Sequence, residues 1–316
     1  MKKFSFNLII LILFTIFPFM VACGKRGDDS PFVTAGFTME TVSLDSPYID
    51  GKSPEDTEKA LHILYINDIH LQILNDEVAE EEQENIKGRI EAFSSNGTTT
   101  LEKWEKLPDL INAYGPDYVI FGGDILDFCS EANVASLKEG LDKLTVPYMY
   151  IRSDHDRYPY WLSDNDNNKA AARQDALCDN SKVLRGDVGP VTIVAMNPSD
   201  QDYMSASVEE ASAILDEEGR TFIVATHIPY EEEKPGELDE FSMELRGKAL
   251  YWYNNTDRQD TPGVASFIRR LYEIDTPFFV PAAHLHASFE TRFSEYGVEH
   301  VFTPEFMGSI GEIIVY

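Results

Sequence analysis

Five apolar runs in this chain end in aspartate or histidine, and that repeated ending constrains the fold more than any other feature. LHILYINDIH (residues 61–70) is rich in Ile and Leu and too short for a membrane span. It reads as a buried strand of an α/β sheet that delivers Asp68 and His70 together. DYVIFGGDILD (117–127) ends in Gly122, Gly123 and Asp124, with Asp127 closing the block, and VPYMYIRSDHD (146–156) ends in Asp154, His155 and Asp156. RTFIVATHIPY (220–230) carries His227, and TPFFVPAAHLHAS (276–288) carries His284 and His286. In open α/β sheets, sites assemble at the carboxyl ends of strands. Five of the seven histidines stand at such ends, while His62 and His300 have no comparable neighbours and read as structural.

At 316 residues the chain has room for one large α/β domain or two small ones. The blocks run through most of its length, so one domain over residues 59–316 is expected. A hydrophobic fraction of 43% and an aromatic fraction of 12% supply a sizeable core and argue against disorder. With 26 Lys+Arg against 55 Asp+Glu the formal charge is -29, which repels polyanions and makes long nucleic acid an unfavourable partner. Bound divalent ions would reverse that field locally. Oligomeric state is not legible.

Lys2 and Lys3 precede an apolar stretch over 8–20, followed by Met20-Val21-Ala22-Cys23-Gly24. This has the form of a signal peptide over 1–22. The small residues before Cys23 resemble a bacterial lipobox, which implies lipidation of Cys23 and a membrane-anchored, extracytoplasmic location at the cell envelope. Pro18 and the shortness of the run count against a stable span. Residues 23–58, rich in Gly, Ser, Pro and Asp, read as a tether, although FVTAGF (32–37) and METVSL (39–44) alternate weakly enough to add an edge strand instead. Cys129 and Cys178 are expected to be two buried thiols, with a disulfide as the alternative.

The acidic stretch 71–96 reads as a solvated helix face. Because 53 residues separate His70 from Asp124, it also reads as an insertion that walls one side of a site. Leu101, Trp104, Leu107, Leu110 and Ile111 form a helical stripe, perturbed at Pro108, which makes Trp104 a core residue. Residues 131–144 read as a crossover helix feeding the strand at 147–151, a parallel step. A strand follows over 186–197, then a helix over 207–217 capped by Ser205 or Ser207. Residues 231–262 lack a period, and Tyr251, Trp252 and Tyr253 serve there either as substrate walls or as packing. Past His286, alternating segments read as antiparallel strands of a second sheet.

The order D-x-H (Asp68-Ile69-His70), G-D-x-x-D (Gly123 to Asp127), H-D (His155-Asp156, after Asp154), H (His227) and H-x-H (His284-Leu285-His286) resembles the calcineurin-like metallophosphoesterase family over about residues 61–290. The resemblance implies an αββα sandwich of mixed sheets flanked by helices. It implies hydrolysis of a small phosphomonoester or phosphodiester, with water acidified at a pair of divalent transition-metal ions. Asp68, His70, Asp124 and His286 would hold one ion, and Asp124, Asp154, His227 and His284 the other. Such mixed oxygen and nitrogen ligands suit Mn, Zn, Fe or Co. His155 would contact the phosphate or protonate the leaving oxygen, with Asp156 orienting its ring. Asp127 would hold the loop. Arg152 and Arg157 flank His155 and either clamp a phosphate or pair with surface carboxylates.

Two positions depart from the family pattern. Ser153-Asp154 replaces the usual Gly-Asn, exchanging a neutral ligand for a carboxylate, which should tighten metal binding while weakening attraction for phosphate. Activity is then expected to be lowered or shifted in metal preference, and a ligand-binding envelope protein without turnover is the competing reading. Ala283 replaces Gly before the H-x-H pair, which is tolerable unless that position needs positive φ.

Overall fold

Alternation along the strands sorts their side chains onto two faces, and both faces of each sheet are buried. The computed structural model describes residues 30–49, 60–176, 182–198, 202–247, 253–254 and 261–316. Its eleven strands are β1 (Thr38–Leu44), β2 (Leu61–Ile66), β3 (Tyr118–Phe121), β4 (Tyr148–Tyr150), β5 (Val183–Val188), β6 (Val191–Met196), β7 (Thr221–Ala225), β8 (Phe278–Ala282), β9 (Phe289–Thr291), β10 (Gly297–Val301) and β11 (Ser309–Val315). One sheet has the order β1-β11-β2-β3-β4 and the other β5-β6-β7-β8-β10-β9. Both are mixed. β2, β3 and β4 run parallel, as do β6, β7, β8 and β10, while β11 on β2, β5 on β6 and β9 on β10 are antiparallel.

Ile63 and Tyr65 of β2 point inward to meet Ile193, Ile223 and Phe279 of the opposite sheet. Leu64 and Ile66 point the other way, onto Trp104, Ile111 and Leu137 of the helices outside the first sheet. The second sheet repeats this plan, with Val224 and Val280 packed on Phe267 and Leu271 of helix Pro262–Tyr272. The result is the expected helix–sheet–sheet–helix sandwich. Trp104 is 1% exposed and donates its Nε1–H to the Ser136 carbonyl. Pro108 splits the predicted helix into Thr100–Trp104 and Leu107–Tyr114, because a proline is accommodated only in a first turn.

Several expectations need correction. Within residues 31–44 the edge-strand alternative holds over the tether for 39–44, whereas Pro31–Thr34 is a short helix: β1 is the edge strand of its sheet and pairs in parallel with β11 from Thr38↔Ser309 to Leu44↔Val315. Phe32, Val42 and Leu44 are buried, so the domain begins well before residue 59. β11 closes the first sheet, not the second, because Ile313 and Val315 face the inter-sheet core beside Ile63. Residues 183–188 form a strand of their own, turned onto β6 by a hairpin. The helix Ser205–Leu215 is preceded by Met204, with no side-chain cap from Ser205 or Ser207. Cys129 is buried with its thiol on the Ala170 carbonyl, whereas Cys178, Cys23, the signal segment, Tyr251 and Trp252 lie outside the described residues. No described helix is long and apolar enough to cross a membrane.

Candidate metal centre

The strands stop just short of the polar residues they deliver, and the backbone there leaves ordinary geometry. Seven described residues other than glycine have positive φ, and five of them are Asp68, His70, Asp124, His284 and His286, at 47 to 71°. Each such residue costs about 1 kcal/mol or more, so the surrounding packing must enforce the turn that aims these side chains inward. Gly123, at φ 93°, sits so close to His227 that a Cβ would lie 2.7 Å from its Nδ1. Ala283 keeps an ordinary φ, which is why it stands where glycine is usual.

Three triads each place one ligating atom per residue within 4.8 Å of the others: Asp68, His70 and His286; His70, Asp124 and His155; and Asp124, His227 and His284. Asp124 is shared between the last two. Its Oδ2 lies 3.7 Å from His70 Nε2 and 3.3 Å from His227 Nε2, while Asp68 Oδ1 lies 3.3 Å from His286 Nε2. The distal nitrogens fix the tautomers. His227 Nδ1–H donates to the Gly122 carbonyl at 2.9 Å, His155 Nδ1–H to the Asp127 carbonyl at 2.8 Å, and His70 Nδ1 pairs with Asp127 Oδ1 at 2.9 Å. For His70 and His227, Nε2 is thereby left as the ligating nitrogen.

This arrangement fits a pair of cations. Asp68 Oδ1, His70 Nε2 and His227 Nε2 are buried without a hydrogen-bond partner, an arrangement that is costly unless something positive satisfies it. The charges agree. Burial raises the carboxyls of Asp68 and Asp124, yet positive charge on the surrounding histidines outweighs it and holds both below the usual carboxylate range. Burial lowers His227, but the Asp124 carboxylate prevails and pushes it up to about 10. Burial and the neighbouring His227 charge press His284 down to about 4.

Six of the seven expected ligands converge, and Asp154 does not join them. It opens the short helix Asp154–Arg157, where its Oδ2 accepts from the Tyr160 hydroxyl at 3.0 Å. Asp156 also departs from expectation, because it does not touch His155. Its carboxylate accepts from the backbone N–H groups of Asp124, Leu126 and Ser153 at 2.9 to 3.0 Å and from the Tyr150 hydroxyl at 2.6 Å. It therefore ties the Asp124 loop to the His155 loop. Ser153 contributes to the same knot, its hydroxyl contacting the Asp124 carboxylate. Arg152 and Arg157 stand outside the triads: Arg152 donates to Asp175 and Arg157 to the Pro198 carbonyl.

The sequence reading missed Arg89, Phe93 and Asn67. Arg89 lies in helix Gln83–Ala92 of the acidic insertion and grips Asp127 with Nε at 2.8 Å and Nη2 at 2.5 Å. Its guanidinium stacks over Phe93 and Trp161, at 5.0 and 4.4 Å from the ring centres. Phe93 stacks in turn on His70 at 4.4 Å, so the insertion does wall one side of the centre. Asn67 donates to Asp68 Oδ2 at 2.7 Å and turns Oδ1 inward. On the other side a cavity of about 300 Å³ opens at His227 and His284.

Fold and site together define a two-sheet α/β protein with a cluster of histidines and aspartates placed to hold metal ions. The profile of the calcineurin-like phosphoesterases matches residues 61–268, and the chain belongs to that family of phosphoric ester hydrolases. The match stops before His284 and His286, which the geometry alone brings to the centre. Among solved structures the chain is similar to a dimetal phosphatase from Danio rerio, with 12% identity over 78% of this chain and 88% of that one and a TM-score of 0.49. It is similar to a purple acid phosphatase from yellow lupin (Lupinus luteus) seeds, with 12% identity over 77% and 43% of the two chains and a TM-score of 0.45. It is also similar to a phosphopantetheinyl hydrolase from Mycobacterium tuberculosis, with 12% identity, 77% and 89% coverage and a TM-score of 0.39. A search of curated protein sequences found no match.

Proposed function

We propose that this protein hydrolyses a small phosphomonoester or phosphodiester outside the cytoplasm, anchored to a membrane by a lipid on Cys23. The observation that carries the chemistry is the convergence of Asp68, His70 and His286 with Asp124, His227 and His284, the two triads being linked where His70 and Asp124 come together. Two divalent ions held there would neutralise the phosphate oxygens and make a water acidic enough to attack at neutral pH. Asp68, His70 and His286 would hold one ion, His227 and His284 the other, with Asp124 between them; Mn, Zn, Fe and Co all suit such a donor set.

The chain's own residues do the rest. Asn67 and Asp127 fix the faces that Asp68 and His70 present. His155 anchors Nδ1 on the Asp127 carbonyl and keeps Nε2 for a proton. Burial lowers its pKa, but the charges of Asp124 and Asp127 prevail and raise it, so it suits donation of a proton to the leaving oxygen. Assay of a chromogenic phosphomonoester and diester with Mn or Zn tests the activity. Turnover should disappear with a chelator and return with metal, and a metal-loaded protein that turns over neither ester would refute it. For the anchor, Cys23→Ala should move the protein from the membrane to the soluble fraction; unchanged partitioning would refute that part.

One observation favours a weakened or inactive centre: the Asp154 carboxylate is turned to Tyr160 instead of the triads. If its charge still damps the centre, Asp154→Asn should raise kcat/KM several-fold or change the preferred metal. Unchanged rate and metal content would leave residue 154 without a role.

A further inference from the structure

We propose that the cavity beside His227 and His284 binds the organic half of the substrate, and that this half combines a flat apolar body with a second anionic group. The inference rests on the phosphoesterase reading above and specifies what it acts on.

The cavity's volume of about 300 Å³ is at the lower end for small-molecule pockets, and its lining includes two of the candidate metal ligands, His227 and His284. A phosphoryl group at the centre would therefore direct one ester substituent into it. Its walls include Tyr158, Tyr203, Ile228 and Tyr253, of which Tyr203, Ile228 and Tyr253 are themselves buried and so form a firm surface. Tyr203 is braced by a 2.8 Å hydrogen bond to Tyr230. Such walls favour a planar apolar group over a flexible polyol, because aromatic faces bury area with little loss of rotamer freedom.

Arg152 and Arg157 also line the cavity. In a chain of formal charge -29, two guanidiniums on one small pocket run against the prevailing sign. Arg152 is 3% exposed and its Nε has no hydrogen-bond partner, although its Nη1 is held by Asp175. Arg157 is half-buried and spends one Nη1 bond on the Pro198 carbonyl. A buried guanidinium with unfilled donor capacity selects an anion, and Asp154 on the same wall repels one placed out of register.

The test compares phenylphosphonate with 4-carboxyphenylphosphonate, neither of which is hydrolysed, by calorimetric binding to the Mn- or Zn-loaded protein. The carboxylated ligand should bind roughly tenfold more tightly, the size of one charge-assisted hydrogen bond. That ratio should collapse towards one in Arg152→Gln and fall in Arg157→Gln, recovering in part in Arg157→Lys, whatever the absolute affinities. Equal binding of the two ligands by the unaltered protein overturns the proposal, even if chromogenic esters are hydrolysed. An undiminished ratio in both folded variants, Arg152→Gln and Arg157→Gln, likewise overturns it. Failure of the metal-loaded protein to bind either phosphonate or to hydrolyse any ester would instead bring down the phosphoesterase reading beneath it.

Discussion

At the residue scale, the centre depends on side chains that never reach a metal. Asp127 is the best example, since it holds His70 by its carboxylate and His155 by its carbonyl. Arg89 holds Asp127 in turn, and its stacking partners Phe93 and Trp161 lean on the same two histidines. Arg89→Gln removes the bidentate grip while keeping some length and polarity. Outer partners of this kind change metal affinity or turnover by roughly 10- to 100-fold, so the variant should lose kcat within that range with a smaller change in KM. Metal titration beside steady-state kinetics would check this; full metal affinity and unchanged kcat would make the contact merely structural. The His and Asp residues at strand ends were legible because strand periodicity carries them to one edge. Arg89 was not, because on paper it is one charge in a run of solvated charges, and its partner lies 38 positions away. Asp156 misled for a related reason: its neighbour in sequence is His155, but the short helix turns its carboxylate towards the Asp124 loop.

At the element scale, the two sheets are joined by an ionic clasp at the end of the sandwich. Glu40 of β1 accepts from His300 of β10 at 2.8 Å, from Ser288 at 2.5 Å and from the Thr303 N–H at 2.9 Å, while the other His300 nitrogen meets Glu290 at 3.2 Å. Burial raises Glu40, but these donors outweigh it and bring its pKa from 4.5 to about 2. Its contribution to stability is therefore complete above 4.5 and is lost as pH falls from there through about 2. Burial lowers His300, yet Glu290 and Glu40 raise it above 6.5, so its share is complete below 6.5 and fades as pH rises through the raised value. The clasp is strongest between about 4.5 and 6.5. Glu40→Gln should cost about 1 to 3 kcal/mol at pH 5.5, in line with a lost hydrogen bond to a charged group, and should flatten the acid limb of a stability profile measured by urea unfolding. A profile that stays parallel to that of the unaltered protein at every pH would show that the clasp contributes nothing. His300 was read as structural from the lack of motif partners, and its contacts explain why; Glu40, assigned to a tether, had no visible partner because that partner lies 260 residues away.

At the scale of the whole molecule, the chain's two distant ends complete the first sheet, and that closure could not be read locally. The centre's ligands come from both sheets, β2 and β3 on one side and β7 and β8 on the other, so anything that loosens one sheet misaligns the triads. β11 is buried along its length and sits between β1 and β2, and its seven-residue register with β1 leaves no free edge there. A chain beginning at residue 59, where the sequence alone suggests the domain starts, would lack β1 together with the buried Phe32, Val42 and Leu44. Losing a single large core side chain costs about 2 to 5 kcal/mol, against a total stability of about 5 to 15 kcal/mol for an ordinary domain. It would also expose β11 as a long apolar edge, a template for aggregation. A protein spanning 30–316 should therefore melt cooperatively and bind metal, whereas one spanning 59–316 should be insoluble or melt without a cooperative transition. Should the shorter chain melt within a few degrees of the longer one and bind metal equally well, β1 would be an ornament on a sheet that stands without it.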